Sequence, residues 1–308
     1  MTEPATKLNP LETVAYWLLM GFSKLVGLLP FVVLYYLIAP LIYFVVYRIL
    51  RYRVGVVRAN LRNSFPDKSR HELRRIERLF YLHLAELFVD VIDMTSMTPA
   101  ALIRRMRIEG IEEFDRCTEG RSWIAALSHY GEWEFFASYA CTHRQYHNLG
   151  VYHPLKNEVM DRFYLHLRHR FGLEPVSVKG LARKVLEYDK TAERFTIGLI
   201  ADQNTYRSHS DGKWRTFLNQ PTLFFGGMGH YAKRFGIPVW FLHIDRRYAA
   251  HYSVYFEQIY DGTEDIDEQE ITSRYAAALE KMITARPELW LWSHRRWKTK
   301  PPKDYVAD

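Results

Sequence analysis

The chain has 308 residues and 36.6 kDa, with 48% apolar and 25% charged residues, enough to bury a sizeable core and too apolar for a disordered chain. Two cysteines, Cys117 and Cys141, exclude a disulfide framework or zinc ribbon and point to a reducing compartment. The formal charge is +7, but residues 1–62 carry +5 and the tail from His294 carries +3, which leaves 63–293 at −1. Such terminal basicity argues against nucleic acid as a partner, since a binding groove spreads its basic face through the folded domain.

The N-terminal charge cluster flanks an apolar stretch. From Thr13 to Tyr47 Lys24 is the one charged residue, and Leu25–Tyr47 is an uncharged run of 23. At about 1.5 Å per residue this run crosses a hydrocarbon core of about 30 Å. Pro30 and Pro40 predict kinks, or a span preceded by an interfacial helix along Val14–Ser23. A cleaved signal peptide fits poorly: Glu3 and Glu12 precede the run, the run is too long, and no small-x-small site follows it. A buried core helix is disfavoured because such helices seldom run this long without a polar face. Arg48, Arg51, Arg53, Arg58 and Arg62, with no acid among them, place the C-terminal side on the cytoplasmic face. The expectation is a single-pass anchor over residues 1–50.

Residues 51–100 are expected to form a helical collar. Ser69 and Glu72 make a capping-box pattern, and Leu73, Ile76, Phe80, Leu84, Leu87 and Val91 then recur at threes and fours, which predicts a helix over 69–94. Beyond residue 100 short β-rich runs alternate with helical patterns. Strands are expected at Trp123–His129, Asn148–His153, Phe195–Ala201, Ile237–Ile244 and Tyr252–Ile259, with helices near 157–170, 180–189, 222–235 and 268–286. That alternation predicts an α/β catalytic domain over 101–308, a mixed sheet flanked by helices.

The sharpest local feature is Ala125-Ala126-Leu127-Ser128-His129-Tyr130-Gly131-Glu132-Trp133-Glu134. A strand ends at a histidine, and a helix-like run rich in carboxylates follows. Five residues on one α-helix turn about 140°, so His129 and Glu134 meet only if the chain bends between them, at Gly131. A carboxylate on one imidazole nitrogen fixes the tautomer and makes the other nitrogen a general base. A nascent helix N-terminus beside it suits a developing oxyanion. The same residues also fit a hydrogen-bonded turn before an ordinary helix start, and spacing leaves both readings open. The pairs His166–His169 and His143–His147 lack a joining acid or cysteine cluster, so no metal is expected. Gly226-Gly227-Met228-Gly229 lacks the lysine of a phosphate loop and reads as a close helix contact. Trp290, Trp292 and Trp297 beside Arg295, Arg296 and Lys298 fit either a membrane-interface contact or core packing.

His129-Tyr130-Gly131-Glu132-Trp133-Glu134 resembles the His-x-Gly-Asn-Trp-Glu block of the late acyltransferases of lipid A biosynthesis. The likeness extends along the chain. Arg58–Pro66 is similar to the family's Asn-Leu-x-x-x-Phe-Pro segment, and Tyr152–Asn157 to its Tyr-Arg-Pro segment, with His153 where arginine is usual. Arg170-Phe171-Gly172, Ala201-Asp202-Gln203 and Phe217–Thr222 resemble further blocks, and Pro287–Lys298 resembles the C-terminal Pro-x-x-Trp-x-Trp-x-His-Arg-Arg-Trp-Lys signature. Glu132 in place of asparagine is the main departure.

The resemblance implies a bacterial inner-membrane enzyme with its catalytic domain on the cytoplasmic side. It would move a fatty acyl chain from an acyl thioester, on acyl carrier protein, to the hydroxyl of a 3-hydroxyacyl chain on a lipid A precursor, without a cofactor and in contact with membrane lipids. His129 would be the general base and Glu134 its orienting partner. Arg170 would meet a substrate phosphate, Asp202 would position Arg170 or a donor group, and Gln203 would bind substrate. A structural Arg170–Asp202 ion pair stays open. No acyl-enzyme is expected, because neither cysteine lies in a nucleophile motif and Ser128 has no glycine elbow. Transfer to a glycerophospholipid or amino-acid lipid, and a catalytically silent lipid-binding scaffold, are the alternatives.

Overall fold

The structure, a computed structural model, describes residues 8–118, 120–203, 212–302 and 305. Glu3, Lys7, Lys303, Asp304 and Asp308, which enter the charge reading, lie outside them.

Helix α1 (Pro10–Gly27) starts at a capping box in which Asn9 and Glu12 bond each other's backbone N–H. Pro30 then separates it from a second helical run, so the expected kink is a break between helices. Helices α2 (Phe31–Val33) and α3 (Ala39–Tyr43) join through a π turn, Leu34–Ile38, and a second π turn, Phe44–Ile49, completes one run. The first π turn sits just before Pro40, which has no N–H to give and crowds the preceding turn. Phe31–Ile49 is the one helix among the described residues long and apolar enough to cross a membrane, and by length and composition it points to an anchor. Leu34, Tyr35 and Ala39 pack inward against Val89 and Ala250, whereas Val32, Tyr36, Leu37, Leu41 and Phe44 are exposed. In α1 Tyr16 and Met20 are likewise buried, with Trp17, Leu18, Phe22 and Leu25 outward.

Helices α4 (Val54–Ser64) and α5 (Arg70–Asp93) follow, α5 opening on the expected Ser69–Glu72 capping box. Two arginines of the basic cluster are engaged in the fold: Arg58 forks onto buried Glu77, and Arg53 donates to the Ser293 carbonyl at 3.0 Å. The alternating part begins with α6 (Pro99–Arg105), β1 (Met106–Ile108), α7 (Ile111–Thr118) and β2 (Trp123–Leu127). It continues with a 3₁₀ turn at Trp133–Phe136, α8 (Ala137–Thr142), β3 (His147–Tyr152), α9 (Glu158–Arg170) and β4 (Glu174–Ser177). Next come α10 (Leu181–Lys190), β5 (Phe195–Ile200), and an antiparallel hairpin of β6 (Gly212–Phe217) and β7 (Gln220–Phe225). The chain closes through α11 (Gly227–Phe235), β8 (Val239–Tyr248), β9 (His251–Tyr260) and α12 (Glu268–Ala285).

Seven strands form one mixed sheet in the order β1-β9-β8-β2-β5-β3-β4. All neighbours are parallel except β8 and β9. Strand β2 lies at the centre, buried along its whole length, as a parallel strand covered on both faces must be. The α/β expectation holds, with local differences: β1, β4 and β6 are not among the five expected strands, and Thr222–Phe225, read as helix, belongs to β7, so the helix starts at Gly227. Bulky and β-branched side chains suit the hairpin there, and the glycines mark the boundary. Gly229 lets α11 approach α12 closely, since a Cβ there would lie 2.2 Å from the Glu268 carbonyl oxygen.

Candidate active site

The site lies where parallel strands β2 and β5 end, the crevice beyond strand C-termini where α/β sheets place their ligands. Leu127 pairs with Ile200 in register, so His129 and Asp202 each stand two residues past the last paired position. The register brings them together. His129 Nδ1 meets Asp202 Oδ1 at 2.7 Å, and the His129 backbone N–H donates to Asp202 Oδ2 at 3.1 Å. The Trp290 indole donates to the same Oδ2 at 2.8 Å. Burial alone would raise the Asp202 carboxyl, but His129 and the Trp290 hydrogen bond bring it below the usual carboxylate range. An ionised Asp202 accepts a hydrogen bond from Nδ1–H and so keeps the ring proton on Nδ1, which leaves Nε2 as the basic nitrogen.

Glu134 therefore does not make the orienting bond expected of it. Its carboxylate turns to Arg168 on α9, with Nη2–Oε1 at 2.6 Å and Nε–Oε2 at 3.1 Å. Burial raises the Glu134 carboxyl, and Arg168, with His129 adding in the same direction, more than reverses this and holds it low. Glu132 accepts the Glu134 N–H at 3.2 Å, so this helix start has one N–H fewer to offer an oxyanion than its sequence promised. Gly131 makes the bend, at φ +59, and a Cβ there would lie 2.7 Å from Ile244 Cγ2.

Arg170 points elsewhere. Its Nη1 donates to the Met94 carbonyl at the end of α5, and it does not line the cavity beside His129. It makes no ion pair with Asp202 among the described residues. Gln203 does line the cavity, as do His129, Glu134 and Arg168.

That cavity is about 1470 Å³, beyond the ~300–1,000 Å³ of an ordinary small-molecule site. Leu84, Leu87, Phe88 and Val91 of α5 form one apolar wall, and Leu181, Leu199 and Met228 contribute from the sheet side and its helices. Its polar lining includes Glu132, Glu134, Arg168 and Gln203 with His129, and also His153, Asp161, His230, Glu268 and Gln269. Among the described residues no group of three or more His, Cys, Asp or Glu side chains is placed to hold a metal. His143 instead bonds Asp115 and stacks on Tyr139, and His147 stacks on Tyr188.

The C-terminal segment is a wedge behind the site. Trp290 and Trp292 are buried, which decides for packing over a membrane contact at these two indoles. The backbone of Leu289 accepts from Gly131 N–H at 3.0 Å, and Leu291 N–H donates to the His129 carbonyl at 3.0 Å. Asn60 on α4 clamps this wedge by donating to the carbonyls of Trp292 and His294, both at 2.9 Å. Burial presses His294 down to about 4, which keeps it neutral beside His129 and Asp202. Trp290 and Asn60 carry positions that sequence spacing could not assign; their signal was membership of the first and last resemblance blocks.

A family model described as bacterial lipid A biosynthesis acyltransferase matches residues 1–299, nearly the whole chain. A search of curated proteins finds no match.

Proposed function

The chain belongs to the bacterial lipid A biosynthesis acyltransferase family, and we propose that it acylates a lipid A precursor directly, with His129 as general base. The observation that carries this reading is the His129–Asp202 pair, with His129 lining a large and mostly apolar cavity. The acceptor, the hydroxyl of a 3-hydroxyacyl chain, gives its proton to His129 Nε2 while its oxygen attacks the thioester carbonyl. The C–S bond then breaks, and the imidazolium returns the proton to the departing thiolate. Asp202 stabilises the imidazolium through Nδ1–H, and the Glu134 carboxylate adds negative charge nearby, fixed by its bidentate bond to Arg168. Arg168, rather than Arg170, is the guanidinium at the cavity wall and the better candidate for a substrate oxygen. Gln203 would contact the same substrate.

The thioester we propose is carried by acyl carrier protein, and the site we propose is the cytoplasmic side of the inner membrane. Phe31–Ile49 would anchor residues 1–50 there, with 51–100 as the collar and 101–308 as the catalytic domain. Holding the cavity at the bilayer raises the local concentration of a lipid acceptor without any further contact.

The test is mass-spectrometric. Membranes with wild type or His129→Ala receive carrier-protein or coenzyme-A thioesters of several lengths, with a lipid A precursor or a lysophospholipid. One acyl mass added to the lipid A precursor by wild type alone is expected. Addition to the lysophospholipid instead would replace the acceptor, and no transfer to either would bring forward a silent lipid-binding scaffold. The anchor has its own prediction. Leu37→Arg with Leu41→Arg, at ~2.5–3.5 kcal/mol for each mid-bilayer charge, should move protein to the soluble fraction. Unchanged sedimentation with membranes would put the anchoring elsewhere. Deleting residues 1–49 tests this less cleanly, because it also strips Tyr35 from Asp90.

A further inference from the structure

Beneath the catalytic turn lie two acids that the acyl-transfer chemistry does not use. Glu132 and Asp90 are buried, and each has one oxygen, Glu132 Oε2 and Asp90 Oδ2, without a hydrogen-bond partner among the described residues. The other two oxygens are satisfied. Asp90 Oδ1 accepts the Tyr35 hydroxyl, and Glu132 Oε1 accepts the Glu134 N–H. Asp90 is also near enough to Glu132 to bear on its ionisation, both by charge and by a side-chain hydrogen bond. The nearby cations are engaged with other acids: Arg105 bonds Asp93 at 2.8 Å, Arg246 bonds Glu86 at 2.7 Å, and Arg168 holds Glu134.

Two ionised carboxylates could not stay in this arrangement, since like charges in a dry site repel and neither orphan oxygen has a donor. One proton resolves both problems. We propose that Glu132 and Asp90 share a single proton, Glu132 Oε2–H donating to Asp90 Oδ2, and that this acid pair positions the turn carrying His129 and Glu134. The contacts then run without a gap from the apolar N-terminal run to the site: Tyr35 to Asp90, Asp90 to Glu132, Glu132 to the Glu134 backbone, and Glu134 to Arg168. A protonated glutamate presents one donor and one acceptor, as an amide does, which accounts for Glu132 where the family block has asparagine.

The surroundings favour the shared proton. Burial pushes Asp90 up to about 7 against the Tyr35 hydrogen bond and Arg105, and burial followed by Asp90 itself pushes Glu132 well above the usual carboxylate range. The other groups around the pair are Glu86, Asp93 and the buried His83 on α5, Glu134 on the turn, Arg105 on α6 and Tyr164 on α9. Tyr252 on β9 and Arg246 on β8 lie against the same cluster. Acids there outnumber cations. As pH rises through the pair's titration the second ionisation sets two negative charges together, and the turn loses its hold on α5.

The inference rests on the acyltransferase reading for its kinetic arm and not for its spectroscopic arm. In full-length protein in membranes, wild-type kcat is expected to fall on an alkaline limb that Glu132→Gln lacks, because the amide keeps both hydrogen bonds and cannot ionise. Asp90→Asn should lose the same limb. The infrared difference spectrum of wild type minus Glu132→Gln at neutral pH should contain the C=O stretch of a protonated carboxylic acid. A missing band overturns the shared proton, and a limb that persists in Glu132→Gln overturns the positioning role. A wild type that transfers no acyl group removes the acyltransferase reading and leaves the infrared result to decide the proton.

Discussion

Asp202→Asn should lower kcat by roughly 10²–10⁴-fold while leaving the fold intact. The size of the effect follows from which atoms the carboxylate serves. Oδ2 accepts two donors, the His129 backbone N–H and the Trp290 indole. An asparagine must place its carbonyl oxygen there, because an NH₂ group would face two N–H donors. Its NH₂ is then directed at His129 Nδ1 and makes that nitrogen an acceptor. The ring proton moves to Nε2, and the base is lost. Near-normal turnover in this variant would remove Asp202 from the mechanism and return the orienting role to another group.

The second large effect is on stability. Arg168 and Glu134 form a bidentate pair in which neither side chain is more than 18% exposed. Arg168→Ala would leave the Glu134 carboxylate in a dry wall without its cation, a loss of about 3–5 kcal/mol when one partner of a buried pair is removed. Adding Glu134→Gln should recover much of that loss, since a neutral amide tolerates the site better than an orphaned charge. Denaturant unfolding of the two single variants and the double variant closes the cycle. Additive losses would mean that the two side chains act independently, contrary to the geometry. Because the Glu134 and Asp202 carboxyls are held below their usual range, what they add to stability is present at neutral pH and is lost as pH falls through their folded values.

Much of the frame could be read from the chain. The capping box at Ser69, the five core strands and most of the helices follow from local pattern and periodicity. His129 was identifiable because a strand end, a glycine and carboxylates coincide within a few residues. The identity of its partner was not, because Asp202 lies 73 positions away and reaches it only through the register of β2 and β5. Arg170 and Arg168 illustrate a different limit. Residues two positions apart on a helix differ by about 200° in direction, so one faces the cavity and the other faces the end of α5. A linear motif gives no sign of which face of α9 will be inward. The β6–β7 hairpin was missed because its second strand runs directly into the glycines that open α11.

The same long-range logic explains the C-terminal aromatics. Their tryptophan–arginine composition fits a lipid interface as well as a core, and the contacts of Trp290 with Asp202 and of Asn60 with Trp292 decide the matter. Three of the scattered blocks, those of Asn60, Asp202 and Trp290, meet behind one histidine, whereas that of Arg170 does not.

The most direct test of the central claim, that His129 activates the acceptor for a single direct transfer, is a single-turnover quench. Each time point would be read twice by mass spectrometry, once for the acylated lipid and once for the intact protein. In wild type, product is expected to appear in step with donor consumption and the protein mass never to gain an acyl group, with His129→Ala slowed by roughly 10²–10⁴-fold. An acyl adduct on the protein that forms and decays ahead of product, or a His129→Ala rate equal to wild type, would contradict this claim.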